Sequence, residues 1–348
     1  MNDKPKNLLI LQILEILKTY SDAYHPMKVS DIKARLEKDY EVVIDRKAIR
    51  RNLDNLISLG YNIEYDECAR INKWGEEEMV QTNWYLEREF TDSELRLIID
   101  SLLFSSQLPT NQCKNLIEKL QGLSNVYFKN KVKHVINLPS NTPQNADLLY
   151  SIEVLDEAIE QNKQVEFTYC TYDTEKKLRP RLNNDGTPKK YLVNPYQMVA
   201  TNGKYYLIAN VDKHDNVAHF RLDRIKDIVL KLQSRKPQNE VRGWEYGLRL
   251  PEHMAEHLYM FSGESERVVF IAKKHLMNDL IDWFGKDIRI SSDKTKQDEI
   301  QVETKVNLKA MKLWARQYGP YIKVISPQNL ANEIKEELMQ AVKNYEEA

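Results

Sequence analysis

The segment "HFRLDRI", His219 to Ile225, puts a histidine and two arginines within six residues of one another. If residues 217–222 form a strand, His219 and Arg221 project from one face while Phe220 and Leu222 project from the other. Arg224 follows at once. An imidazole and two guanidiniums on one surface suit a phosphate or carboxylate, which arginine grips with paired, charge-assisted hydrogen bonds. The plainer alternatives are that these charges are solvated surface, or that Arg224 pairs with Asp223 or another acid to brace the fold.

A second basic group lies in "IDRKAIRRNLDNLISLG". On a helical wheel Ile49, Leu53, Leu56 and Ile57 form the apolar stripe, and Arg46, Lys47, Arg50 and Arg51 occupy the other sides. All four cations fall in the N-terminal half; Asp54, Asn55 and Ser58 fill the C-terminal half. Cations at a helix N-terminus oppose its dipole, a modest cost that an anionic partner removes. A recognition helix offers its N-terminal residues to base edges and phosphates of DNA, where arginine can fork to guanine.

A third pattern, "HMAEH" from His253 to His257, matches H-x-x-E-H, an inverted zinc-protease motif. Histidines at i and i+4 share a helix face and can chelate zinc, with Glu256 as a base. Pro251 opens only a short helix before "FSGESE", and many glutamates could serve as third ligand, so the match is read as chance. No metal, cofactor or catalytic residue is assigned. No G-x-G-x-x-G or G-x-x-x-x-G-K-[ST] occurs, and only ten glycines are present, which argues against a glycine-rich nucleotide fold.

The elements that must position these groups follow from periodicity. Residues 5–19 carry a helical apolar pattern; a second helix is expected near Ser30, its N-cap, and a third after Asp45, ending at Gly60. "NIEYDE" and "TNWYLE" are extended, with "CARINKWGEEEMVQ" as a long hairpin loop. Three helices and a two-stranded ribbon give winged helix-turn-helix order. "FTDSELRLIIDSLLFSSQL" opens with a Thr91/Glu94 capping box, and "TNQCKNLIEKLQGL" adds another helix, making a helical connector. "PSNTPQNAD", residues 139–147, reads as a linker. Frequent short strands over 164–232, with turns at Asn202-Gly203 and Asp215-Asn216, indicate a small barrel. Strands and helices alternate over 266–345 in an α+β arrangement, with Trp283 and Trp314 as core residues. The fold class is therefore α+β multidomain. Its parts are a winged helix-turn-helix at 1–88, a helical connector at 89–147, a barrel domain at 148–235 and an α+β extension at 236–348.

The 348 residues are 42% hydrophobic and 30% charged, as expected of a protein with real cores, and the formal net charge of −1 excludes a uniformly basic nucleic-acid coat but not a local basic patch. Cys68, Cys113 and Cys170 are scattered without C-x-x-C, which fits a reducing cytosol. The N-terminal helix is too amphipathic for a signal peptide, and no segment has eighteen apolar residues, so a cytoplasmic protein is expected.

"GKYYLIANVDKHDNVAHFRLDRIKDI" resembles the signature of WYL-domain transcriptional regulators, often grouped with the DeoR-type repressors. Tyr205-Tyr206-Leu207 stands where that family has Trp-Tyr-Leu, and "FRLDRI" resembles its following strand almost verbatim. "VEFTYCTY" and "VNPYQMV" resemble the earlier strands, and the stretch from "LKAMKLWARQYG" onward resembles the extension domain that follows WYL domains. The resemblance implies an Sm-like barrel that senses a nucleotide, single-stranded nucleic acid or another anionic effector, in a homodimer bound to double-stranded operator DNA. Carried residue by residue, it implies an effector site of Tyr169, Tyr206, His219, Arg221 and Arg224. The expected function is a ligand-responsive transcription regulator without enzymatic activity. The alternative is a nucleic-acid-processing enzyme, or an accessory subunit, with a regulatory WYL domain.

Overall fold

The structure is a computed structural model that describes residues 8–72, 74–105, 108–132, 147–292 and 298–346. Two compact units divide the chain, Met1–Thr142 and Pro143–Ala348.

In the first unit, helices α1 (Leu9–Tyr20), α2 (Val29–Tyr40) and α3 (Arg46–Ser58) precede an antiparallel hairpin of β1 (Ile63–Ile71) and β2 (Glu77–Leu86). Their apolar stripes meet in one core that includes Ile13, Leu17, Ile32, Leu36, Ile49, Leu53 and Trp84. Asp45 caps α3 by accepting the Ala48 N–H at 2.7 Å, and Gly60 takes a left-handed φ of +90° just past the helix end. Ile57 stays at the surface, outside the stripe expected for it. Ser30 is not the N-cap of α2. The N-cap is Lys28, two residues earlier, and the Asp31 carboxylate accepts its N–H at 2.9 Å. The long loop expected over 68–81 is instead mostly ladder, closed at its end by the Asn72 N–H donating to the Glu76 carbonyl. Most of this ribbon is solvated on both faces, so it carries no apolar alternation to mark it as strand.

Helices α4 (Asp92–Ser105), α5 (Thr110–Gln121) and α6 (Val126–Val132) follow. The Thr91/Glu94 capping box forms reciprocally, Thr91 N–H to Glu94 at 2.8 Å and Glu94 N–H to Thr91 Oγ1 at 3.2 Å. Asn125 accepts the Tyr127 and Phe128 N–H groups at the start of α6 and donates to Asp22, while Arg88 donates to the Lys18 and Ser21 carbonyls. These bonds anchor the later helices to the end of α1. Residues 139–146 of the expected linker lie outside the described residues.

In the second unit, α7 (Leu148–Glu160) packs on a sheet of β3 (Lys163–Tyr172), β4 (Leu178–Pro180), β5 (Lys190–Thr201), β6 (Lys204–Val211), β7 (Val217–Arg221) and β8 (Ile225–Ser234). The spatial order is β8-β3-β5-β6-β7, with β4 on the end of β3. Asn202 and Gly203 both have positive φ and make the tight β5–β6 turn. The closed barrel expected here is not formed. Among the described residues no ladder joins β7 to β8, and the chain crosses between them through a 3-10 turn at Leu222–Arg224. That turn buries Leu222 and Asp223, so the corner residues anchor the turn instead of extending a ladder.

The other face of this sheet is covered by the segment that holds α8 (Leu250–Glu256); Tyr196, Val199 and Ile208 pack there with Val241, Trp244 and Met260. The chain then forms β9 (Ser265–Lys273), α9 (Met277–Phe284), β10 (Arg289–Ser291), β11 (Glu299–Asn307), α10 (Leu308–Gln317), β12 (Ile322–Ser326) and α11 (Gln328–Glu346). Its antiparallel sheet, ordered β10-β11-β9-β12, shares a core with the helices that includes Phe270, Phe284, Val302 and Trp314, with Trp283 packed at its edge. No described helix is long and apolar enough to cross a membrane.

Candidate functional site

Two separate surfaces carry the residues singled out by chemistry. On the first unit, α3 presents Arg46, Lys47, Arg50 and Arg51 as exposed side chains. Arg46 and Arg50, one turn apart, line a cleft of about 420 Å³ between the starts of α2 and α3 and the β1–β2 hairpin. Lys28, the N-cap of α2, Ser30 from α2 and Arg70 from β1 line the same cleft. None of the four α3 cations, nor Arg70, makes an ion pair among the described residues. Lys47 and Arg51 lie on the neighbouring surface of the helix, outside the cleft lining. Lys28 and Arg70 were not singled out by sequence; Arg70 fell in what reads as a loop, and only the ladder places it beside the helix.

On the second unit, the β6–β7 register sets Tyr206 opposite Arg221 and Ile208 opposite His219. Leu207 and Phe220, a residue away on each strand, are buried on the other face. A buried amide chain positions the start of β7: Asn194 donates to Asn210, whose own amide donates to the His214 and Asn216 carbonyls.

Arg221 grips Asp223 with two bonds, Nε to Oδ1 at 3.0 Å and Nη2 to Oδ2 at 2.7 Å. Burial opposes the charge of Arg221, but the Asp223 carboxylate outweighs that and holds the guanidinium above its ordinary range. Asp223 is thus committed to Arg221, not to the brace with Arg224 that the sequence allowed. Arg224 makes no ion pair among the described residues, and its Nε is buried without a hydrogen-bond partner. Lys204, not singled out by sequence, belongs to this group. Burial first, and then the Arg221 charge, push its ammonium below the usual lysine range. Burial likewise raises the Tyr206 phenol, with Arg221 pulling the other way. Three cations with one carboxylate leave local positive charge, which an anion would relieve.

Tyr169 and His219 sit differently from the rest. Tyr169 is buried, its ring edge-on to Phe220 at 5.1 Å between centroids, and its hydroxyl accepts the Arg221 N–H at 3.2 Å. It props β7 from behind and offers no free ring face. His219 turns its ring to α8, where its Nε2 lies 2.8 Å from His253 Nε2. One ring nitrogen from each of His219, His253 and His257 lies within 4.8 Å of the others. The H-x-x-E-H histidines are therefore joined by a third from another element. Glu256 points elsewhere, paired with Lys305 at 2.8 Å. The three rings could hold a metal ion by type and spacing. Burial, and then their mutual charge, push His219 down to about 2, and burial with the His257 charge pushes His253 down to about 3. Burial also lowers His257.

The chain carries a WYL domain: residues 151–230 match that family. No curated protein matches. Among solved structures the chain is similar to proteasome accessory factor B/C (PafBC) of Arthrobacter aurescens, at 13% identity and a TM-score of 0.29, covering 97% of this chain and 48% of that one. It is also similar to a CRISPR Cas-related protein, at 14% identity and a TM-score of 0.36, covering 98% of this chain and 84% of the other. The chain thus spans about half the length of the PafBC chain.

Proposed function

We propose that this protein is a DNA-binding transcription regulator, not an enzyme, whose WYL domain responds to an anionic effector such as a nucleotide or a short single strand. In this reading α1 to β2 form a winged helix-turn-helix of the DeoR type, with α3 as recognition helix and the hairpin as wing. The chain acts as a homodimer on a roughly palindromic operator in the cytoplasm. The observation that carries the reading is the cleft lined by Arg46 and Arg50 at the start of α3, Lys28 just before α2 and Arg70 on β1, cations without ion-pair partners among the described residues. Such a surface is costly on its own and favourable against phosphate and guanine. The effector reading rests on three cations, Lys204, Arg221 and Arg224, gathered beside Tyr206 with only the Asp223 carboxylate, which Arg221 takes, since arginine suits phosphate and tyrosine suits stacked bases.

The test selects a binding site from genomic fragments, then compares wild type with Arg46→Ala and Arg50→Ala. Each substitution should weaken operator binding by about 1–3 kcal/mol if its arginine forks to a base, and wild-type binding should fall steeply with salt. If both variants bind the selected site as wild type does, α3 is not the reading helix.

A further inference from the structure

We propose that His219, His253 and His257 form a binding site for a divalent first-row metal ion of the zinc class, clasping β7 of the WYL sheet to α8. His253 and His257 stand at i and i+4 across the end of α8, a spacing that brings both rings to one side, and their centroids are 4.0 Å apart. His219 arrives from β7, its ring centroid 5.0 Å from His253 and 5.1 Å from His257. Nitrogens of a tetrahedral three-imidazole zinc site stand about 3.3 Å apart, given Zn–N bonds of about 2.0–2.1 Å. The cluster, all within 4.8 Å, needs only side-chain adjustment to reach that geometry.

The outer contacts fit as well. Metal-bound histidine usually donates its other N–H to a carbonyl or hydroxyl, which fixes ring and tautomer. His257 Nδ1 lies 3.0 Å from the His253 carbonyl, and His219 Nδ1 lies 3.4 Å from Ser262 Oγ. Ser262 is itself held by the His219 N–H at 3.1 Å. No carboxylate hydrogen-bonds any of the three rings among the described residues, so they are not arranged as a protonated, acid-paired cluster. Burial disfavours the protonated form of all three rings, and neutral imidazole is the form that offers its lone pair to a metal. His253 and His257 also line a cleft of about 830 Å³ with Glu264 and Lys305, which leaves room for water or an exogenous ligand at a fourth position. Soft thiolates are absent from the donor set, so imidazole chemistry favours Zn²⁺, Co²⁺ or Ni²⁺ over Mg²⁺ or Ca²⁺. Because the site joins β7 to α8, two residues from Arg221, an ion there would hold the effector strand against the segment that leads into the C-terminal sheet.

The experiment uses full-length protein, first stripped with EDTA and then titrated with Co²⁺ and with Zn²⁺, and needs no DNA. One Co²⁺ per chain should bind with the visible absorption of a tetrahedral or five-coordinate nitrogen site, and Zn²⁺ should displace it. Zn²⁺ at about a hundred times its dissociation constant should raise the melting temperature by about 5–10 °C, and Mg²⁺ should not. His253→Gln and His219→Gln, each confirmed folded by circular dichroism, should weaken binding by about a hundredfold or more. His214→Gln, outside the cluster, should leave it unchanged. A wild-type protein with neither the cobalt spectrum nor a zinc-dependent melting shift overturns the site. So does stoichiometric binding retained in folded His219→Gln and His253→Gln. If a variant fails to fold, the wild-type cobalt spectrum decides alone. DNA binding is measured separately, so loss of the metal site would leave the regulator reading standing, and the reverse.

Discussion

At the scale of single residues, Arg221 and Arg224 divide two jobs that the sequence could not separate. Both stand in "FRLDRI" with Asp223 between them, and either could take its carboxylate. The fold gives it to Arg221. The Arg221 side chain is 21% exposed and that of Asp223 only 8%, so Arg221→Ala strands a nearly buried carboxylate. Breaking a fully buried pair costs about 3–5 kcal/mol; with partial exposure on the arginine side, about 2–3 kcal/mol is expected. Arg224→Ala removes a guanidinium that pairs with nothing among the described residues and should cost under about 1 kcal/mol. Denaturant unfolding of both variants checks this. A larger loss for Arg224→Ala would reverse the assignment. Any response to the proposed effector should then be read chiefly on Arg224→Ala, where a loss cannot be blamed on folding. The same comparison shows what the residues alone conveyed. The alternation that puts His219 and Arg221 on one strand face is visible in sequence. The turning of His219 toward α8 is not, because nothing local ties residue 219 to residue 253.

At the scale of elements, helices with a clear apolar stripe were legible and lightly patterned ribbons were not. Asp45, the Ile49–Leu53–Leu56 stripe and Gly60 delimit α3 from sequence alone, since cap, stripe and C′ glycine each act locally. The hairpin was legible only near its base, where Ile63, Trp84 and Leu86 are buried; beyond that both faces meet water. The barrel expectation failed at one corner, where burial of Leu222 and Asp223 favours a 3-10 turn over continued pairing. Helix α11 raises a separate expectation. It is amphipathic and packs Leu330 and Ile334 inward, yet leaves Leu338, Met339 and Val342 exposed beside Ile325. An apolar face of that kind suits a two-fold contact with a second copy, as a palindromic operator requires. Met339→Glu with Leu338→Glu should shift the protein from dimer to monomer in light scattering at micromolar concentration. A wild type that is strictly monomeric, with or without DNA, rules the contact out.

At the scale of the whole molecule, charge is balanced overall and unbalanced in place. A net charge of −1 coexists with a basic cleft on the first unit whose cations have no ion-pair partner among the described residues, so any DNA binding should depend on that cleft and not on general attraction. Each unit has its own core, and the proposed metal and DNA sites fall in different units, which allows their ligands to be added independently. The tip of the hairpin also provides a means of observation. Of the five tryptophans, Trp84, Trp244 and Trp314 are buried and Trp283 is packed at the edge of the C-terminal core, whereas Trp74 is 74% exposed. Collisional quenching by acrylamide should therefore report chiefly on Trp74, and Trp74→Phe should remove most of the quenchable emission. If the hairpin lies along DNA, operator duplex will shield this one fluorophore while the buried indoles keep their emission. Unchanged quenching at saturating operator would place the hairpin tip away from the duplex.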